Sequence, residues 1–149
     1  MNIGFTGTQR YQTGGQKNAL GKFLYYHFCK YHNAEFHHGM CIGADHDAHK
    51  IAHRLGYEII FHPPLSKFKV ADIKCVSLMK LENMRDPKEY LERNHDIVDE
   101  TDILIATPNG FLEEQRSGTW STVRYARKQG KHIYIIYPDS SIEEENGKI

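Results

Sequence analysis

Ser117-Gly118-Thr119 lies between the apolar run Ile103-Leu104-Ile105-Ala106 and a segment in which Trp120, Val123 and Ala126 recur at helical spacing. These small residues therefore fall at a helix N-terminus just beyond the C-terminal end of a strand. Free backbone N–H groups and the positive end of the helix dipole favour an anion there. The same residues suit an ordinary helix cap, so cap and phosphate cradle both stand. Arg116 precedes them and offers positive charge. A second stretch, Gly7-Thr8-Gln9-Arg10, follows the apolar run Ile3 to Thr6. It lacks the GxGxxG dinucleotide pattern. Its Arg10 either pairs bidentately with a phosphate or carboxylate or stands free in a loop. A third stretch, Gly39 to Asp45, opens a helix that places Asp45 and His49 four residues apart on one face. That spacing suits a carboxylate orienting an imidazole, or both groups touching a ribose. His46, His49 and His53 share the helix without any familiar metal-ligand spacing, so neither a metal site nor a cofactor is expected.

The elements that must position these residues follow from apolar runs and breakers. Strands are predicted at Ile3–Thr6, Ala34–His37, Tyr57–His62, Ile103–Thr107 and Ile133–Tyr137. Helices are predicted from Gln16 to His32, from Gly43 through Leu55, from Lys88 to Asp99 and from Gly118 to Gly130. Along the first, Leu20, Phe23, Leu24, His27 and Phe28 share a face; along the third, Tyr90, Leu91, His95 and Val98 do. Gly56 is placed as a C-cap, and Pro63-Pro64 ends the third strand. Residues 65–87 alternate basic and apolar side chains and are read as a partly helical connection, a candidate subunit contact. Strands alternating with helices predict a three-layer α/β, Rossmann-like domain over residues 1–138. It has a mainly parallel five-stranded sheet of order 3-2-1-4-5 with helices on both faces. Residues 139–149 are polar and acidic, and are expected to fray.

Ligands in such sheets bind beyond the strand ends at the switch point, here between strands one and four. All three stretches converge on it, which favours a ligand site over a set of separate caps. The 19 basic and 19 acidic residues cancel, leaving no global electrostatic case for nucleic acid or membrane. Cys29, Cys41 and Cys75 are widely spaced and do not form a disulfide framework. No leader pattern and no apolar span is evident, and a cytoplasmic location is expected.

Four segments in order carry a resemblance. Gly4-Phe5-Thr6-Gly7-Thr8-Gln9-Arg10 resembles a Gly-Ser-Arg loop. His38-Gly39-Met40-Cys41-Ile42-Gly43-Ala44-Asp45 with Ala48-His49 resembles Ser-Gly-x-Ala-x-Gly-Ile-Asp-x-x-Ala-His. Glu92-Arg93-Asn94-His95-Asp96-Ile97-Val98 resembles Arg-Asn-x-x-Ile. Ser117-Gly118-Thr119-Trp120-Ser121-Thr122-Val123-Arg124-Tyr125-Ala126 resembles Ser-Gly-Ser-x-x-Thr-Ala-x-x-Ala. These are motifs of the SLOG superfamily of Rossmann-like proteins, which joins the DprA/Smf and LOG families, and the pattern is closest to the DprA/Smf core. The resemblance implies a nucleotide or nucleotide-derived ligand, such as a relative of ADP-ribose, and a homo-oligomer.

On that basis phosphates are expected on Gly7, Thr8, Ser117, Gly118 and Thr119, with Arg10 and Arg116 offsetting charge. Gln9, Gly39, Gly43 and Asn109 line the same loops. Asp45 or Asn94 is expected to meet ribose, and Arg93 and Asn94 either join in or tie the third helix to its neighbours. Trp120 either stacks a base or packs in the core. LOG proteins cleave a base from a nucleoside monophosphate with a motif glutamate, and in this register that position is Thr122. A threonine cannot stabilise an oxocarbenium-like transition state as a carboxylate does. The principal expectation is therefore binding without turnover. An N-glycosidase using Asp45, Glu113 or Glu114 is the alternative, and a DprA-like binder of single-stranded DNA is the second alternative.

Overall fold

The computed structural model describes residues 1–66 and 83–147. Most of the stretch read as a connection and subunit contact lies outside them. The order is β1 (Ile3–Gly7), α1 (Gly14–Lys30), β2 (Glu35–His38), α2 (Ala44–Leu55), β3 (Glu58–Phe61), α3 (Tyr90–Asp99), β4 (Ile103–Thr107), α4 (Gly118–Lys128), β5 (His132–Ile136) and β6 (Ile142–Glu145). The sheet runs β3-β2-β1-β4-β5-β6. β1 to β5 are parallel to their neighbours and β6 pairs antiparallel with β5. The expected five-stranded order is present, with helices on both faces and one strand added.

Side-chain alternation along the strands builds two cores. Ile3, Phe5, Phe36, Ile59, Phe61, Ile103, Ile105 and Ile136 meet Leu20 and Leu24 of α1 and Ala44, Ala48 and Ala52 of α2. On the other face Leu104, Ala106, Ile133 and Ile135 meet Val98 of α3 and Trp120, Val123 and Ala126 of α4. β4 is buried along its whole length, as a central parallel strand with both faces covered must be. Gly4 lets α3 lie close on β1: a Cβ there would stand 2.7 Å from Thr101 Oγ1 and 3.1 Å from Ile97 Cγ2.

The cap at Gly56 is present, with φ +99°. α1 starts on a capping box. Gln16 N donates to Thr13 Oγ1 (3.0 Å) and Thr13 N donates to Gln16 Oε1 (3.1 Å). The Gln16 amide nitrogen also donates to the carbonyls of Pro108 (2.8 Å) and Ile136 (3.0 Å), joining α1 to the ends of β4 and β5.

Two expectations need correction. The acidic segment expected to fray contains β6, because its glutamates have partners. Glu143 accepts from Tyr137 Oη (2.8 Å), Glu144 meets His132 Nε2 (2.7 Å), and Glu145 accepts from Arg127 (2.6 and 2.8 Å). α3 buries Arg93, Ile97 and Val98, whereas Leu91 is exposed. The expected face was drawn through the apolar residues, and the actual one includes a buried guanidinium. Among the described residues, no helix is long and apolar enough to cross a membrane.

Candidate functional site

β1 feeds α1 on one face of the sheet and β4 feeds α4 on the other, so their C-terminal ends open a crevice between them. It encloses about 420 Å³, within the range of small-molecule sites. Its lining includes Gly7 through Arg10, Gly39, Asp45, Arg93, Asn94, Asn109 and Ser117 through Trp120. The three stretches singled out in the sequence thus share one cavity, although they are separated by up to about a hundred residues in the chain.

At α4, Ser117 is the N-cap and its hydroxyl accepts from Trp120 N at 3.3 Å. The cap engages only that donor. The N–H groups of Gly118 and Thr119 have no protein acceptor among the described residues, as a first helical turn dictates. Nothing lies within 4 Å of the place a Gly118 Cβ would occupy, so the backbone is open to a ligand. Opposite it, a Cβ on Gly7 would overlap Ala44 and stand 2.8 Å from Thr107 Oγ1, so only glycine lets these elements close up. Arg10 is exposed and its guanidinium makes no ion pair among the described residues. Thr8 holds the turn, with Oγ1 donating to Arg10 O at 3.2 Å and its carbonyl accepting from Ala44 N at 3.0 Å. Behind the loop, buried Asp47 accepts from Gln12 N at 2.8 Å.

Asp45 is 6% exposed. One of its oxygens accepts from Gly39 N (3.2 Å) and Cys41 N (3.1 Å), bracing the loop after β2. Burial raises its pKa from 3.8 to about 6, against the opposing pull of the Arg93 charge and those two N–H groups. The Asp45 and His49 pairing expected from helical spacing does not form. Asp45, in the first turn, reaches back to its own loop, whereas His49, one turn later, faces β2 and meets His38 (Nδ1···Nε2 3.0 Å). Met40 N donates to His38 Nδ1 at 3.0 Å, so the His38 proton resides on Nε2 and is donated to His49.

Arg93 is buried, and it donates to the carbonyls of Gly39 and His62, the latter at 3.2 Å, and to Asn94 Oδ1 at 2.9 Å. A Cβ on Gly39 would overlap this guanidinium. Arg93 therefore ties α3 to the ends of β2 and β3 and also forms part of the crevice wall. Gly43, at φ +88°, lies against the Gln9 carbonyl behind the cavity surface, and Arg116 also lies outside the lining.

Of the acidic candidates, Glu113 points away and pairs with Arg124 (3.2 Å) and Arg127 (2.7 Å), and Glu114 reaches the rim. Thr122 is buried, and its hydroxyl donates to Gly118 O at 2.9 Å inside α4. Trp120 packs in the core beneath α4 and also contributes to the cavity lining. Phe5, Thr6, Cys41, Tyr90 and Ile97 also line it without having been singled out. Thr6 and Cys41 adjoin the motif residues and were within reach of the sequence. Tyr90 was placed on a face of the third helix, but that this face borders the cavity follows from how α3 packs on the sheet.

No protein-family model matches the sequence, and no curated protein matches it. Solved structures do. DNA processing protein A (DprA) from Streptococcus pneumoniae superposes with a TM-score of 0.65 at 17% identity, over 90% of this chain and 49% of that one. The molybdenum cofactor binding protein from Rippkaea orientalis gives 0.61 at 20% identity, over 91% and 76%. DNA processing protein A from Helicobacter pylori, described with a single-stranded DNA binding mode, gives 0.60 at 19% identity, over 91% and 64%. This chain spans about half the length of the first of these proteins. The chain shares the Rossmann-like fold of these proteins.

Proposed function

We propose that this chain binds a phosphate-bearing small molecule of nucleotide size in the β1/β4 crevice and holds it without turnover. The observation that carries this reading is the meeting of two unsatisfied donors at the N-terminus of α4, on Gly118 and Thr119, with Arg10, exposed and without an ion pair among the described residues, across the open crevice. Helix N–H groups and a guanidinium together form an anion site with directional donors. The cavity volume suits a nucleotide or an ADP-ribose-like signal. Binding without turnover is supported by how the candidate catalytic positions are engaged. Thr122 is committed to helix α4, Glu113 to two arginines, and Asp45 to two backbone donors.

A second reading is a phosphorylated pterin such as the molybdenum cofactor. A structural neighbour of comparable length, 76% of which this chain covers, binds that cofactor. Single-stranded DNA is less well supported, because the 19 basic and 19 acidic residues cancel and the chain has no net positive charge.

The test is a ligand panel of nucleoside monophosphates, ADP-ribose, NAD, molybdenum cofactor and a short oligonucleotide. Thermal shift reads binding, and chromatography of the same samples reads chemistry. Stabilisation by a nucleotide recovered intact supports the proposal. Release of free base would convert it to an N-glycosidase, and stabilisation by the oligonucleotide alone would sink it.

A further inference from the structure

On the sheet face opposite α1 and α2, Glu35 and His37 of β2 project side by side, two residues apart. The parallel register sets His37 beside Ile60, which carries His62 onto the same face just past β3. Glu100, at the C-cap of α3, completes a cluster. His37 Nδ1 stands 2.9 Å from His62 Nε2, His62 Nε2 stands 3.1 Å from Glu100 Oε2, and the third edge, Glu100 Oε2 to His37 Nδ1, is 4.0 Å. Ligand atoms about 2.0–2.1 Å from a tetrahedral zinc ion stand about 3.3–3.4 Å from one another, so the observed edges bracket that spacing.

The supporting contacts of a metal site are also in place. His37 Nε2 lies 2.8 Å from Glu35 Oε2, which puts the ring proton on Nε2 and turns the Nδ1 lone pair toward His62 and Glu100. A carboxylate behind an imidazole is the usual means of orienting a metal-bound histidine. Arg85 Nε donates to Glu100 Oε1 at 2.9 Å, leaving Oε2 directed at the rings. Both rings are 1% exposed while the Glu100 side chain is 35% exposed, so the cluster has one open side for an ion and a water. His37 Nδ1, His62 Nε2 and Glu100 Oε2 all face one point, and a cation placed there can satisfy all three atoms together.

We propose that His37, His62 and Glu100 bind a divalent transition-metal ion, zinc in the first instance, with water as the fourth ligand. The ion links the ends of β2 and β3 to the C-terminus of α3. The His62 carbonyl accepts from Arg93, so the ion also braces a wall of the crevice. The ligands lie 25 and 38 residues apart on three elements, a spacing unlike the short local patterns by which zinc sites are found in sequences.

The full-length chain, stripped with a chelator, is titrated with Zn²⁺ by calorimetry and with Co²⁺ by visible absorption. The expected result is one ion per chain, a raised melting temperature and a four-coordinate Co²⁺ spectrum. His62→Gln abolishes all three. Because that buried change can impair folding, Glu100→Gln is the deciding variant: it remains folded by circular dichroism and weakens binding at least tenfold. His53→Gln, on the exposed side of α2, leaves binding unchanged. Absence of stoichiometric binding by the wild-type chain overturns the proposal. So does binding that survives Glu100→Gln at full strength, or that is lost in His53→Gln.

Discussion

Replacing Asp45 by Asn tests whether the crevice wall holds a carboxylate against its own preference for water. Burial favours the neutral acid, while the Arg93 charge and the N–H groups of Gly39 and Cys41 favour the anion, and burial prevails, from 3.8 to about 6. That is about a hundredfold in proton affinity, or about 3 kcal/mol at 1.36 kcal/mol per pH unit. A folded-state value above the unfolded one means that folding takes up a proton between the two. The stabilisation is complete below about pH 4 and is lost as pH rises through about 6. Urea unfolding of wild type and Asp45→Asn across pH 4–8 isolates this effect, because every other titrating group cancels in the difference between the two proteins. The wild-type advantage should fall by about 2.5 kcal/mol over that range, most of it before pH 7. A flat difference, or one that grows with pH, would refute the reasoning and show that Arg93 and the two N–H groups outweigh burial. The same titration bears on the proposed ligand. A neutral Asp45 beside the phosphate loops repels an anion less, so affinity for a nucleotide should increase from pH 8 to pH 6.

Arg10→Gln should weaken binding of a phosphorylated ligand by about tenfold or more, the loss of a hydrogen bond to a charged partner. Its unfolding midpoint should stay unchanged, since Arg10 is exposed and unpaired among the described residues; calorimetry and denaturation read the two separately. Gln16→Ala removes half of a capping box and both donations to Pro108 and Ile136, and should cost about 2–4 kcal/mol by urea unfolding. Gly43→Ala forces a Cβ into a left-handed residue and against the Gln9 carbonyl, and should cost at least about 2 kcal/mol by the same assay. Gly14→Ala meets nothing within 4 Å and should instead stabilise by up to about 1 kcal/mol.

Much of this arrangement was legible in local patterns. The run Ile103 to Thr107 is apolar because both its faces are covered, and Gly56 follows Leu55 because the chain leaves α2 through a left-handed residue. Ser117 precedes Gly118 and Thr119 because α4 needs a cap, and the switch-point rule then brought the three loops together. What escaped notice depends on partners distant in the chain. Glu143 to Glu145 look solvated until Tyr137, His132 and Arg127 are seen to meet them. Arg93 was expected to meet the ligand or to tie α3 to its neighbours, but the depth of its burial depends on the distant carbonyls of Gly39 and His62. Asp45 and His49 share a helical face in projection, yet one turns to its own loop and the other to His38.

β6 has a consequence for how copies of this molecule meet in a crowded solution. The rim of an open sheet exposes unpaired backbone groups that another chain can adopt as a template, the first step of fibrous aggregation. At this rim the outermost strand is short and carries three consecutive glutamates. A second copy approaching edge to edge in antiparallel fashion would bring its own acidic run against this one, and like charges facing each other across a ladder oppose pairing. The strand thus shields β5 from templated growth, and trimming the chain before Ile142 would bare the backbone of His132 to Ile136, an apolar strand well suited to aggregation.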